Sequence, residues 1–264
     1  MNFGVIVVGD EVLSGKRADK HMPRLIELLS ARGLALSWAR YVGDEPARLT
    51  ADLRDAFAGG DAVFCCGGIG ATPDDHTRRC AAEALGRPLV LHAQARDLIM
   101  ERVRQMAREQ GTPLDEDHPD TRRRLEMGVF PEGAQIIPNP FNKIPGFSVA
   151  EVHFVPGFPV MAHPMIEWLL DTRYKHLHRQ GAWQERSVIV RGSMEATLTP
   201  LMESLETRFP GVKVFSLPSV DHPQWGRHIE LGVKGAPSLL DEAYPALLAG
   251  LADYPVTLGP ELVR

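Results

Sequence analysis

The chain has 264 residues, 44% hydrophobic and 24% charged, with a formal net charge of −5. That composition is ordinary for a globular fold, and the negative balance argues against a nucleic-acid binder held by phosphate contacts. No apolar run reaches the length of a membrane helix, and the start MNFGVIVV lacks the basic residues and cleavage site of a signal peptide. A cytoplasmic protein with neither nucleic-acid nor membrane partner is expected, and its three cysteines suit a reducing compartment better than a disulfide framework.

Apolar strand-like runs alternate with amphipathic stretches of helical length, which predicts βαβ units and a mainly parallel sheet. FGVIVV (3–8) reads as the first strand. ADKHMPRLIELLSARG follows as a helix, with Leu25, Ile26, Leu28 and Leu29 as its stripe and Gly33 as its stop. A second strand is predicted over 34–43, a helix over 46–60, and a short, wholly apolar central strand over 61–66. Helices follow over 77–86 and 95–111. The stretch Thr112 to Pro145, rich in Pro, Gly and charge, is expected to wrap over one edge. A strand is predicted over 149–157 and a helix over 159–180. From Gln184 a β-α-β-β-α order restarts, as in a compact α+β module. The expected organisation is an α/β domain over 1–180 and a small α+β module over 184–264, with the break near Arg179 to Gln184. Ser193 is read as the cap of the module's first helix, ahead of Glu195.

VVGDEVLSGKR (7–17) runs from a strand into a glycine turn, yet it is no P-loop. Five residues separate Gly9 from Gly15, and Arg17 follows Lys16 where a hydroxyl is needed for magnesium. Asp10 and Glu11 would repel bare phosphate but suit a divalent cation. CCGGIGATPDDHT (65–77) follows the central strand, where ligands of open α/β sheets bind. Gly67, Gly68 and Gly70 permit an anion nest of backbone N–H groups. Thr72 or Thr77 can cap the next helix, Thr77 being favoured. Asp74 and Asp75 fit a metal that bridges carboxylate and phosphate, or the positioning of a water. A dinucleotide fingerprint is not met, because Pro73 stands at its third glycine. Asp10 and Glu11, Asp44, and Asp74 and Asp75 thus follow three successive strands, the pattern of a metal-assisted site.

Asn139 to Gly146, with Lys143 and Pro145, and Val155 to Pro159, with Gly157, read as loops closing over a ligand, or as turn chemistry alone. Lys16, Arg17 and Lys143 can reach phosphate or stay solvated. Cys65, Cys66 and Cys80 read as core residues, since neighbours on a strand point to opposite faces. His176 and His178 do not face each other on a helix, and His76 is a candidate for proton transfer.

GDEVLSGKRADKHM, YVGDEPARL, CCGGIGATPDDHT, RRLEMGVFPEGAQIIPNP and VPGFPVM together resemble successive motifs of the competence/damage-inducible CinA family. ERSVIVRGSMEATLTPLMESL extends that resemblance into the second module. It implies a three-layer fold of the molybdenum-cofactor-biosynthesis type and molybdopterin as a possible ligand; homo-oligomers are common among its members. Deamidase activity is not implied, because that C-terminal domain has no counterpart here. In related adenylyltransferases a phosphate-bearing pterin and a nucleotide bind the glycine loop; Asp44 and Asp75 match acids implicated there. Glu11 matches a first-loop acid of molybdenum-insertion relatives. CinA-like proteins are associated with hydrolysis of ADP-ribose to AMP and ribose phosphate. Departures are Ala71 for proline, Asn142 and Ile144 for small residues in NPFNKIPG, and VPGFPVM in place of an acid-bearing turn. The resemblance therefore implies a metal-dependent nucleotide pyrophosphatase, with molybdopterin binding or adenylyl transfer, and a non-catalytic ligand-binding role, as the alternatives.

Overall fold

The computed structural model describes residues 1–111, 113, 115, 118–178 and 184–263. Contacts divide the chain into two compact units, Met1–His178 and Arg179–Arg264. Residues 179–183, where the break was expected, lie outside the described residues.

In the first unit β1 (Phe3–Val8) leads into a one-turn helix, α1 (Asp10–Leu13), and then α2 (His21–Ser30) and β2 (Leu36–Val42). Next come α3 (Pro46–Gly59), β3 (Ala62–Cys66), α4 (Thr77–Leu85), β4 (Leu89–Leu91) and α5 (Ala93–Gln110). The unit continues with α6 (Pro119–Glu126), β5 (Val129–Pro131), β6 (Gln135–Ile137), β7 (Gly146–Val149), β8 (Val152–Val155) and α7 (Pro159–Thr172). The main sheet runs β2-β1-β3-β8-β7-β6. Its first four strands are parallel, and β7 and β6 add antiparallel.

Strand periodicity sorts the central residues into two cores. Val5, Val7, Phe64 and Cys66 pack with Leu25, Leu29, Met165 and Leu169 on one face. Ile6, Val63 and Cys65 pack with Leu49, Leu53, Cys80 and Ala81 on the other. Helices on both faces of a mainly parallel sheet make the three layers. All three cysteines are buried and free, and burial pushes the thiols of Cys65 and Cys66 upward, so neither is a ready nucleophile.

Two expectations need correction. The run 149–157 is not one strand: Ala150 takes a φ of 50° and turns the chain, so β7 and β8 pair antiparallel. The stretch from Thr112 to Pro145 is not a plain wrap. It contains α6, pairs β5 with β4, and supplies β6 as the edge of the main sheet.

The second unit comprises β9 (Gln184–Arg191), α8 (Glu195–Arg208), β10 (Lys213–His222), β11 (Gly226–Gly235), α9 (Pro237–Leu251) and β12 (Thr257–Val263). Its antiparallel sheet runs β10-β11-β9-β12, over a core that includes Val188, Leu198, Leu240 and Leu247. β12 was not anticipated, since TLGPELV is mostly exposed and carries a proline. Ser193 is not the helix cap either. That position is Met194, which makes no side-chain capping bond. No helix among the described residues is long and apolar enough to cross a membrane.

Candidate functional site

A pocket of about 580 Å³ opens at the carboxyl ends of β1, β3 and β8. Glu11, Asp44, Gly67, Gly68, Gly70, Thr72, Asp74, Asp75, Asn139, Pro145 and Gly157 all line it, together with Arg17. A shallower recess beside it gathers Asp10, Glu11, Asp44, Asp74 and Lys16.

The first wall is built where β1 ends. Gly9 donates its N–H to Val42 O at 3.0 Å, and the chain then coils into α1. Asp10 and Asp44 lock the first two strand ends together: Asp10 N donates to Asp44 Oδ2 at 3.0 Å, and Asp44 N donates to Asp10 Oδ1 at 3.2 Å. Burial, followed by the charges of Asp10, Glu11 and Asp74, holds the Asp44 carboxyl above its usual range.

The floor is the glycine loop. Gly67 and Gly68 have φ of 113° and 68°, in the region that favours glycine. Gly67 donates its N–H to Val155 O, and Thr77 N donates to Gly68 O, both at 3.0 Å. Thr72 donates to Asp75 Oδ2 from its N–H at 2.8 Å and its hydroxyl at 2.5 Å. Among the described residues, the N–H groups of Gly68, Ile69, Gly70 and Ala71 have no partner within the protein. They are the part of the expected nest that a ligand can use.

Several expected contacts are corrected here. Thr77 is fully buried and donates its hydroxyl to Gly67 O at 3.0 Å. It is the first residue of α4, not its cap, and it does not line the pocket. Asp75 lines the pocket and accepts both Thr72 bonds on Oδ2, which ties it to the loop. Asn139 lies on the wall but spends its side chain on Asn142, Ile144 O and Phe141 N. Lys143 ion-pairs with Glu101 at 2.5 Å. Gly146 is a buried residue of β7, where an added Cβ would meet Met165 at 2.8 Å. Lys16 faces the acidic recess rather than the pocket, and His76 lies outside the pocket wall. His178 Nε2 donates to Leu170 O at 2.9 Å, and His176 sits in the short turn before it.

The expected resident metal centre, with Asp10, Glu11, Asp44, Asp74 and Asp75 as ligands, does not fit the geometry. Asp10 and Asp44 point oxygens at each other's N–H groups and Asp75 at Thr72. Among the described residues no three His, Cys, Asp or Glu side chains converge on one point.

The pattern of acids and glycines gave no warning of the opposite wall. His21 is 5% exposed, yet it lines the pocket and contacts Gly157 O through Nε2 at 3.1 Å. Burial lowers its basicity. Met127, Ile144, Phe158 and Met161 make this side of the pocket apolar. The two departures in NPFNKIPG and VPGFPVM were the only signal for it. A second polar cluster was also missed. Ser148 Oγ lies 2.7 Å from His153 Nδ1, and Tyr174 Oη lies 2.5 Å from His153 Nε2 and donates to Glu151 at 2.6 Å.

This α/β unit has its glycine-loop pocket at the ends of parallel strands, where open α/β sheets bind ligands. A family model described as "Probable molybdopterin binding domain" matches residues 4–176, and the chain belongs to that family. A CinA-like protein of Syntrophotalea carbinolica is 30% identical over 223 residues, covering 79% of this chain and 51% of that protein. A CinA-like protein of an Anaeromyxobacter species is 37% identical over 175 residues, covering 64% and 40%. The chain thus spans about half the length, or less, of these curated relatives. The crystal structure of the protein CinA from Thermoplasma acidophilum matches with a TM-score of 0.54 at 24% identity, covering 65% of this chain and 98% of that one. At that identity the match speaks for the fold.

Proposed function

We propose that the first unit binds a phosphate-bearing nucleotide or pterin and hydrolyses a phosphoanhydride, with ADP-ribose-like diphosphates as the substrate class. One observation carries this reading: the four unpartnered N–H groups of the glycine loop share a pocket with Arg17. The N–H groups and the guanidinium would hold the diphosphate and stabilise charge that develops on it. Asp44, held above the usual carboxylate range, is the base that would take a proton from water as the water oxygen attacks phosphorus and the bridging P–O bond breaks. Asp75 would act through Thr72 by fixing the loop. A hydrated magnesium ion carried on the diphosphate would meet the recess of Asp10, Glu11 and Asp74, which needs no closed protein cage. The apolar wall suits a flat ring and so also favours a second reading, molybdopterin binding with adenylyl transfer.

The test is incubation with ADP-ribose and magnesium, manganese or cobalt, with chelator as control, following AMP by chromatography. Metal-supported AMP release, lost in Asp44→Asn, supports the hydrolase. Absence of AMP with every metal sinks it and leaves the pterin reading to be tested by binding.

A further inference from the structure

Phe158 lines the pocket with 55% of its surface exposed, although its backbone is firmly held. His21 Nε2 contacts the preceding carbonyl of Gly157 at 3.1 Å. Phe158 O accepts the N–H groups of Met161 and Ala162, each at 2.9 Å. Gly157 sits so close to the glycine loop that a Cβ on it would be 3.4 Å from Gly67 Cα. The turn that presents the ring is thus docked on the loop that presents the free N–H groups. An aromatic ring held in place but left in water gains little from its own burial; it gains from whatever covers it.

The chemistry around the ring says what would cover it. Ile144, Met127 and Met161 line the same pocket and carry no charge, and methionine sulfur packs well against aromatic rings. Asn139 and Asn142, two nearby polar side chains, are spent on their own loop and, for Asn142 Nδ2, on Met161 Sδ at 3.3 Å. Donors for phosphate are therefore supplied by the glycine loop and Arg17, and on the wall opposite Phe158 with Met127, Ile144 and Met161 offers apolar contact surface. A ligand that is all phosphate leaves that wall wet. A ligand with a phosphate at one end and a planar heteroaromatic ring at the other fills both.

We propose that Phe158 is the stacking platform for the ligand's ring, and that it makes the pocket selective for ring-bearing diphosphates over bare ones. This rests on the phosphate-binding reading above and sharpens it to a ligand class, nucleoside or pterin diphosphates. The test is calorimetric titration of the full chain with ADP, hydroxymethylpterin diphosphate and inorganic pyrophosphate, repeated with Phe158→Ala and Phe158→Tyr. The alanine variant is expected to weaken the ring-bearing ligands about 5- to 100-fold while pyrophosphate affinity stays within about twofold, and the tyrosine variant to bind as the parent does. The tighter ring-bearing ligand identifies the source, nucleoside or pterin. Equal losses for pyrophosphate, or no loss for either ring-bearing ligand, overturn the stacking role and leave phosphate binding intact. Failure of the parent to bind any of the three overturns both.

Discussion

Two polar clusters lie on the main sheet of the first unit, and they use similar side chains to opposite ends. Ser148, His153, Tyr174 and Glu151 form a chain in which each group is the partner of the next. Ser148 is 3% exposed and His153 fully buried. In an open cleft a serine beside a histidine would suggest a nucleophile and its base, but here no substrate can reach the pair. The rim of the pocket has carboxylates, an arginine and backbone donors that face solvent with valences to spare. Polar groups that satisfy one another in the dry interior help to specify a fold, and polar groups left open at strand ends keep hydrogen-bonding capacity for solvent or a ligand.

Breaking the buried chain should have the largest effect on stability. His153→Ala removes a ring and leaves Ser148 and Tyr174 short of partners, which should cost roughly 3–4 kcal/mol in urea unfolding. The same histidine sets a pH signature. Burial drives its pKa down to about 3, from an ordinary value of 6.5. Because the folded value is the lower one, the unfolded chain takes up the proton first as pH falls. The stabilising contribution is therefore full above pH 6.5 and is lost progressively towards pH 3, at up to about 1.4 kcal/mol per pH unit. Unfolding free energies measured across that range should fall less steeply in His153→Ala than in the parent. Equal slopes would mean that His153 is not the dry residue described here.

Breaking the open cluster should cost less stability and more binding. Gly68 has a φ of 68°, and an added Cβ would collide with Thr77 Oγ1. Gly68→Ala should lose about 2 kcal/mol from backbone strain and overpacking, and with it most affinity for phosphate-bearing ligands. Adding Thr77→Ala removes the colliding oxygen, so the double variant should be more stable than the two single losses predict. Strict additivity would show that Thr77 is not what the Cβ meets.

The contrast between the clusters also marks what could be read from the chain. β1 and β3 are continuous apolar runs and the acids and glycines follow them directly, so the open cluster was visible in nearly contiguous motifs. Glu11, Asp44 and the 67–75 loop line one pocket, and Asp10 lies in the recess beside it. Their internal pairing was not visible, because the Asp10–Asp44 exchange joins residues 34 apart through backbone donors that no side-chain pattern encodes. The buried chain was hidden for a related reason. His153 sits in VAEVHFVPG, where apolar neighbours suggest one long strand. The turn at Ala150 needs a positive φ in a residue that rarely takes one. Only that turn brings Ser148 back beside His153. β12 was hidden because an exposed strand with a proline carries no alternation to read.

Lys143 gives the smallest predicted effect and the finest test of the contrast. The loop 139–146 suggests a phosphate contact for it, but its ammonium ion-pairs with Glu101 at 2.5 Å, both side chains being largely exposed. Such a pair contributes at most about 1 kcal/mol, and commonly about half of that. Its backbone meanwhile sits at a φ of 66°, where a residue with a Cβ is disfavoured by about 1 kcal/mol relative to glycine. The two terms oppose each other in Lys143→Gly, as does glycine's greater freedom in the unfolded chain. The melting temperature should therefore change little. Pyrophosphate affinity should stay within about twofold, because a side chain held by Glu101 is not shared with the ligand. Arg17→Ala, taken from the pocket wall, should by contrast weaken pyrophosphate about tenfold or more. If Lys143→Gly instead weakens pyrophosphate as strongly as Arg17→Ala does, the lysine leaves Glu101 when ligand binds and belongs to the open cluster after all.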